Sequence, residues 1–319
     1  MIDFFDRLYT KIDNRNKLLS KLKFYAFLRL GVKSFVNIVV PVYYFFTRNK
    51  IENSLYVCAR DGNNSPKVIV SLTSFPARIK RVWLVIETIL RQTQKPDKII
   101  LWLSKEQFPS INLLPRVLLK QRKRGLEIRL VEKDIGSHKK YYYTLNEFPS
   151  DYLLIVDDDI FYRSKMIEDL TKYQNLYPNS VIAQYCCQIK WKNGKLKSYL
   201  NWPDISQEEI TKDYLFFGSG GGTLFPPSSF FEDVLNEELF IKLTPTADDI
   251  WLNTMCRLNK VKVTKTRYSS NFLPVWHLFN RTLDSINNSN SKNDLQLNLL
   301  RKYYKGKIGV DPFSIKFHR

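Results

Sequence analysis

The chain has 319 residues, 44% of them hydrophobic and 25% charged, which supplies material for a core and excludes an intrinsically disordered protein. Eleven Gly and 14 Pro exclude collagen-like and low-complexity architectures. Fifty Lys and Arg against 31 Asp and Glu leave a formal charge of +19, which favours anionic partners (nucleic acid, a phospholipid surface, a phosphorylated substrate) without choosing among them.

Residues 1–60 differ from the remainder. They carry eleven Lys or Arg against four acids, and their apolar residues gather in Phe24–Leu30 and Phe35–Phe46. A spanning helix needs about 20 apolar residues; here Arg29 and Lys33 interrupt the longer stretch and Pro41 is expected to break the shorter one. A basic flank beside an aromatic-rich run fits a segment lying in the interface of an anionic membrane. A helical appendage packed on the main domain, or a dimer contact, fits the same pattern. Met1–Asn14 alternates charges without a long apolar run, so no cleavable signal is expected. The cysteines Cys58, Cys186, Cys187 and Cys256 show no CxxC spacing and read as reduced thiols of a cytoplasmic protein, not as a disulfide frame or zinc centre.

From Pro66 onward, β-branched apolar runs alternate with helical periodicity. Val68–Leu72 is the first predicted strand, and Pro76 opens a helix whose Ile79, Val82, Trp83, Ile86, Ile89 and Leu90 recur at three- and four-residue spacing. A strand over Lys98–Leu103, a helix over Leu113–Arg122, a strand over Leu126–Val131, a helix over His138–Glu147 and a strand over Tyr152–Val156 follow. Continuous apolar strands of this kind are covered on both faces, which predicts an α/β fold with a mainly parallel sheet flanked by helices. Ligands of such sheets sit at the carboxyl ends of the strands. Asp284–Asn293, rich in Asn and Ser, reads as a surface loop.

The fourth strand runs into Asp157-Asp158-Asp159. Residues two apart in an extended chain point the same way, so Asp157 and Asp159 can face one pocket while Asp158 turns aside. Paired carboxylates there suit Mg²⁺ or Mn²⁺, with water and substrate phosphate completing the shell; a solvated turn or a helix cap is the plainer alternative. Thr73, Ser74 and Arg78 lie just beyond the first strand, where backbone N–H groups and a guanidinium could hold a nucleotide. Asp134 could accept from a base or ribose, and Lys140 could face a diphosphate. Gly218–Gly222 has four glycines in five residues and could admit a sugar or be a bare turn. Asp248 and Asp249 open a helix, where they gain from the macrodipole whatever else they do.

The Asp157-x-Asp159 pair resembles the DxD signature of nucleotide-sugar glycosyltransferases of the GT-A fold, in particular a bacterial subgroup of capsule and lipopolysaccharide assembly. Thr73-Ser-Phe-Pro-Ala-Arg78, Gln92 with Pro96-Asp97, Asp134-Ile-Gly136 with Lys140, Gly218–Gly222 with Pro226-Pro227, Ala247–Trp251, Trp276-His277 and Asn293-Asp294-Leu-Gln296 follow that pattern in order over residues 66–300. The bulky Tyr141–Tyr143 depart from it and leave the register of Lys139 against Lys140 open. The resemblance implies a nucleotide-binding half at 66–160, an acceptor half at 161–300 and a basic tail at 301–319. It implies Asp249 as general base with Asp248 in support, His277 as a third metal ligand beside Asp157 and Asp159, and Thr73, Ser74, Arg78, Asp134, Lys140 and Asp157 on the donor. Gly220, Gly221, Gly222 and Trp251 would lie on the acceptor side. The expected reaction is inverting, metal-dependent transfer from a nucleotide-sugar, a UDP-sugar by family habit, to a glycan or lipid-linked hydroxyl in surface polysaccharide synthesis, on the inner face of the cytoplasmic membrane. A nucleic-acid-binding protein is disfavoured because the basic residues are dispersed and no recognition module is visible. A metal-dependent nucleotidyltransferase or phosphodiesterase would usually need further metal ligands, and intact acids argue against an inactive scaffold.

Overall fold

The computed structural model describes residues 1–12, 24–47, 66–205, 209–268, 272–276 and 292–314. Its strands are β1 Val68–Thr73, β2 Lys98–Ser104, β3 Leu126–Val131, β4 Tyr152–Val156, β5 Ile160–Phe161, β6 Ser180–Ala183, β7 Cys186–Gln188, β8 Trp191–Lys192, β9 Lys195–Leu196, β10 Ile210–Lys212, β11 Leu215–Phe217, β12 Gly221–Phe225, β13 Lys262–Lys265 and β14 Leu273–Pro274. Eight of them form one sheet in the order β10-β13-β6-β12-β4-β1-β2-β3. β4, β1, β2 and β3 are mutually parallel. β12 lies antiparallel between β4 and β6, and β13 returns parallel to β6. The fold is therefore α/β with a mixed, mainly parallel sheet, as the continuous apolar runs predict.

The helices are α1 Ile2–Lys11, α2 Phe24–Thr47, α3 Val82–Leu90, α4 Arg116–Gln121, α5 Lys139–Glu147, α6 Met166–Leu176, α7 Glu237–Leu243, α8 Asp248–Leu258 and α9 Lys292–Ile308. One apolar core joins α1, α2, α3 and α6 to the sheet, and a second joins α5, α7, α8 and α9 to it. The predicted helix from Pro76 begins only at Val82. The Phe75 carbonyl accepts from both Arg78 N and Ile79 N, closing a turn that holds residues 76–81 short of the helix. The helix predicted over Leu113–Arg122 contracts to α4, because Pro115 disfavours helical backbone at the residue before it. Nor do residues 301–314 form a separate tail; 315–319 lie outside the described residues. α9 runs through residue 308 with Tyr304 buried, and Phe313 is fully buried in the second core. Of the predicted loop, residues 284–291 lie outside the described residues and Asn293 belongs to α9. Cys186, Cys187 and Cys256 are free and buried; Cys58 lies outside the described residues.

The N-terminal segment corrects one expectation. α2 continues through Pro41, and its length and composition would let it cross a membrane. Val36, Asn37, Val40 and Tyr44 recur one turn apart and are buried against the α/β domain. That packing outweighs the one lost N–H and the ring clash, a cost of about 3 kcal/mol in a helix interior. Polar contacts fix the seat. Asn37 Nδ2 donates to Pro274 O (3.0 Å) and Asn37 Oδ1 accepts from Trp276 N (2.7 Å), while Arg91 donates to Thr47 Oγ1 and stacks on Tyr44. Asp3 accepts from Ser164 N (2.8 Å) and Asp6 from Tyr268 Oη (2.6 Å). The opposite side of α2 exposes Phe27, Phe35, Ile38, Val42 and Phe46. Asn37→Leu strands a backbone donor and an acceptor and is expected to cost about 1–3 kcal/mol; urea unfolding of the full chain measures it.

Candidate functional site

Thr73 ends β1 and Val156 ends β4, adjacent parallel strands, so the residues after each meet at the carboxyl edge of the sheet. A cavity of about 380 Å³ opens there, lined by Thr73, Ser74, Arg78, Gln107, Asp134, Lys139, Lys140, the three acids Asp157–Asp159, and Asp248 and Asp249, among others. β4 ends at Val156 and Asp158 and Asp159 lie in a turn, so the strand alternation expected of the acids does not hold, and all three line the cavity. Asp158 is buried and accepts from Ser74 Oγ (2.6 Å) and Arg78 Nη1 (2.6 Å). Asp157 and Asp159 remain partly exposed, at 37% and 25% of their side chains. Arg78 also reaches Asp159 at 2.9 Å, so its guanidinium ties Asp158 to Asp159, and Ser74 is spent on the same anchor. Thr73 Oγ1 donates to Trp102 O while lining the cavity.

α5 delivers the central cation. Lys139 pairs with Asp134, which also accepts from Gln107 and from Gly136 N. Lys140 lies 2.6 Å from Asp157 and 3.2 Å from Asp248, and both lysines line the cavity. Burial works to lower the Lys140 ammonium pKa, but Asp157, Asp248 and Asp249 hold it well above its ordinary value. Tyr141 is buried with its hydroxyl on His138 Nδ1 (2.8 Å), and His138 Nε2 meets Thr244 O (2.7 Å). Burial pushes His138 down to about 4, so that imidazole is a neutral structural link.

The two acids that open α8 differ. Asp248 is buried; burial opposes its ionisation, but Lys140 and His138 keep its pKa below the usual carboxylate range. Asp249 is half-buried and accepts from Ser219 N (2.7 Å); burial and then the Asp248 charge push it up to about 7. Ser219 Oγ donates to Asp248 (3.2 Å). On the other side of the same loop, Asp157 N donates to Gly220 O (3.1 Å) and to Tyr162 Oη (2.7 Å). The loop before β12 thus spaces the β4 acids from the α8 acids.

That role corrects the acceptor-side expectation for Gly220, Gly221 and Gly222. They are buried at the entrance to β12 and do not line the cavity. A Cβ on Gly220 would fall 1.9 Å from the Asp157 carboxyl carbon, so glycine is needed because the carboxylate occupies that space. Gly222 adopts φ +92 with Met166 Sδ 2.9 Å from where its Cβ would be. Trp251 is likewise no acceptor contact: it is fully buried, donates to Val234 O (3.0 Å) and lies edge-on to Phe240. The helical turn that aims Asp248 and Asp249 at the cavity turns position 251 into the core. Gly220→Ala is expected to displace Asp157, cost about 1–3 kcal/mol of stability and abolish any metal-dependent gain in melting temperature with nucleotide; differential scanning fluorimetry reads both.

Sequence reasoning overlooked Tyr162, Ser219, Gln107, Ser137, Tyr199 and the lining role of Asn293. Asn293 carried a signal through the Asn293–Gln296 motif, and Ser219 through the Gly218–Gly222 motif. Asp294 accepts from Tyr199 N (2.8 Å), and Gln296 Oε1 accepts from Thr246 N (3.2 Å), which ties α9 to both cavity walls. His277 lies outside the described residues. Among the described residues no group of three or more His, Cys, Asp or Glu is arranged to hold a metal. Asp157 and Asp159 nevertheless suit a hard divalent cation, which keeps one or two carboxylates and fills its shell with water and phosphate. Their repulsion is what such a cation would relieve: burial and then the Asp157 charge push Asp159 up to about 7.

No family model and no protein of described function matches the chain by sequence. Solved structures similar in shape include TarS 1–349 of S. aureus, at 13% identity and TM-score 0.41 over 65% of this chain and 59% of that one. The chain therefore spans about three fifths of that relative. The mannosyltransferase PcManGT of Pyrobaculum calidifontis, in complex with GDP-Man and Mn²⁺, is similar at 13% identity and TM-score 0.48 over 90% of this chain and 78% of that one. UTP-bound UGPase of Acinetobacter baumannii is similar at 11% identity and TM-score 0.37 over 63% and 86%. All three TM-scores lie below 0.5.

Proposed function

We propose that the chain is a metal-dependent glycosyltransferase that moves a sugar from a nucleotide-sugar, a UDP-sugar in the first instance, to a hydroxyl of a glycan or lipid-linked acceptor. The observation that carries this reading is the pairing, in one cavity, of two partly exposed carboxylates just past β4 with a separate half-buried carboxyl, Asp249, whose pKa lies near neutrality. The first pair suits a diphosphate–metal group and the second group suits proton removal. A divalent cation on Asp157 and Asp159 would neutralise charge on a departing nucleoside diphosphate.

The protein's own groups do the rest. Lys140 sets a fixed positive charge between Asp157 and Asp248, so Asp248 stays ionised and its field raises Asp249. The Asp249 carboxylate takes the acceptor proton as the hydroxyl oxygen attacks the anomeric carbon and the carbon–oxygen bond to the diphosphate breaks. One displacement of this kind inverts the anomeric centre. Arg78 and Ser74, held on Asp158, fix the acidic turn.

We also assign the protein to the inner face of the cytoplasmic membrane, in surface polysaccharide or lipopolysaccharide synthesis. The exposed apolar side of α2 beside a basic segment supports that placement.

Thermal shift with UDP, GDP, CMP and TDP, each with and without Mn²⁺, tests the reading. A ligand at 100 times its Kd stabilises by about 2.7 kcal/mol. One nucleotide is expected to act only with metal, and Asp159→Asn to remove that response while Arg78 stays paired with Asp158. Metal-independent stabilisation by every nucleotide, or by none, overturns the proposal.

A further inference from the structure

A second cleft, of about 480 Å³, lies between α1, α6 and the segment after β13, and shares no residue with the first cavity. Five cations line it, Arg7, Lys11, Arg163, Lys172 and Arg267, against the two acids Asp6 and Asp169. Both acids are engaged within the wall: Asp6 accepts from Tyr268 Oη (2.6 Å) and Asp169 from Arg163 Nη2 (3.0 Å). Glu209, just outside, accepts from Tyr173 and Tyr177 and meets Arg267 at 3.3 Å.

Two donors in the wall are buried without a hydrogen-bond partner, Arg163 Nε and Thr10 Oγ1. Buried donors are ordinarily satisfied. Arg163 is held rigid, its guanidinium 3.6 Å from the Tyr268 ring centroid, so it is preorganised for an oxyanion.

The helical repeat of α1 sets an apolar ridge beside this cleft. Asp6, Arg7, Thr10 and Lys11 share the side that lines the cleft, while Ile2 and Tyr9 face the core. Phe4 and Leu8, one turn apart on the adjoining side, are exposed. Arg7 and Lys11 therefore stand between a basic cleft and an apolar ridge.

We propose that this cleft binds a phosphate-bearing group, with Arg7, Lys11, Arg163, Lys172 and Arg267 as its cationic ligands. The inference deepens the membrane placement, on which the lipid form of it rests: a headgroup phosphate enters the cleft while the acyl region covers Phe4 and Leu8. A free phosphate ester offers the same chemistry without the apolar part.

The full chain is assayed by sedimentation with phosphatidylcholine vesicles and with vesicles containing phosphatidylglycerol. Thermal shift with glycerol 3-phosphate in EDTA runs alongside. Lys172 and Arg267 are exposed, so Lys172→Gln/Arg267→Gln leaves the core intact; Lys192→Gln/Lys195→Gln, on the β8–β9 hairpin over the other core, makes the same charge change elsewhere. Anionic vesicles are expected to bind about tenfold or more tightly than neutral ones, with the preference lost in the cleft pair and kept in the hairpin pair. Stabilisation by glycerol 3-phosphate without a vesicle preference, lost in the cleft pair alone, supports a free phosphate ester as the occupant. Equal losses in the two pairs, or no response to either probe, overturns the cleft. The membrane placement fails separately: it requires neutral-vesicle binding that Ile38→Glu/Val42→Glu removes.

Discussion

Asp249→Asn is expected to lower kcat for sugar transfer by about 10²–10⁴-fold, the usual contribution of a single placed base. The amide can keep accepting from Ser219 N through its oxygen, so donor binding and melting temperature should change little. The loss should therefore fall on kcat and leave donor KM near the parent value, because the missing interaction forms only as the proton moves.

The pH profile sharpens this prediction. Burial and Asp248 push Asp249 up to about 7, and a carboxyl serves as base only when ionised. At saturating metal, kcat/KM should rise by about tenfold per pH unit below that value and level off above it. The Asn variant should lose that limb. A parent profile flat from about pH 5.5 to 8, measured with a continuous nucleotide-release assay, would remove Asp249 from the role of base. So would an Asn variant retaining more than about a tenth of parent kcat.

Lys140→Met carries the second large effect, on stability as well as on activity. The ammonium is buried, 2.6 Å from Asp157 and 3.2 Å from Asp248. Removing one partner of a buried ion pair costs about 3–5 kcal/mol, because the other charge is left in low dielectric. Most of that should come from Asp248, whose side chain is 10% exposed; Asp157, at 37%, is screened by solvent.

Two consequences separate this from a simple packing defect. Adding Asp248→Asn to Lys140→Met should recover part of the loss, since the uncompensated charge goes with it, and a double-mutant cycle in urea reads the coupling. Lys140 also helps hold Asp249 down, so any residual activity should need a higher pH than in the parent. A single-variant cost below about 1 kcal/mol would show that Lys140 does not organise the acids.

What the sequence determined about this protein is local. The β-branched runs specified strands because continuous apolar segments are stable only when covered on both faces, and β3 and β4 fall on the predicted residues. Strand alternation past Val156 predicted that Asp157 and Asp159 would part from Asp158, but the chain turns there, and it is Ser74 and Arg78 that hold Asp158.

Other features needed the tertiary structure. The charge partners of Lys140 include Asp248, 108 positions later in the chain. Arg78 and Ser74 looked free for a nucleotide until Asp158 was seen to hold both. Gly220 resembled a substrate loop, and only the position of the Asp157 carboxylate shows what its missing side chain makes room for. Trp251 and α2 show the same division: an apolar residue signals burial or contact, but its partner is set elsewhere in the chain. Local pattern fixes which way a side chain points within a strand or helix, whereas its charge state, its partners and the space left beside it come from segments that meet only after the sheet has closed.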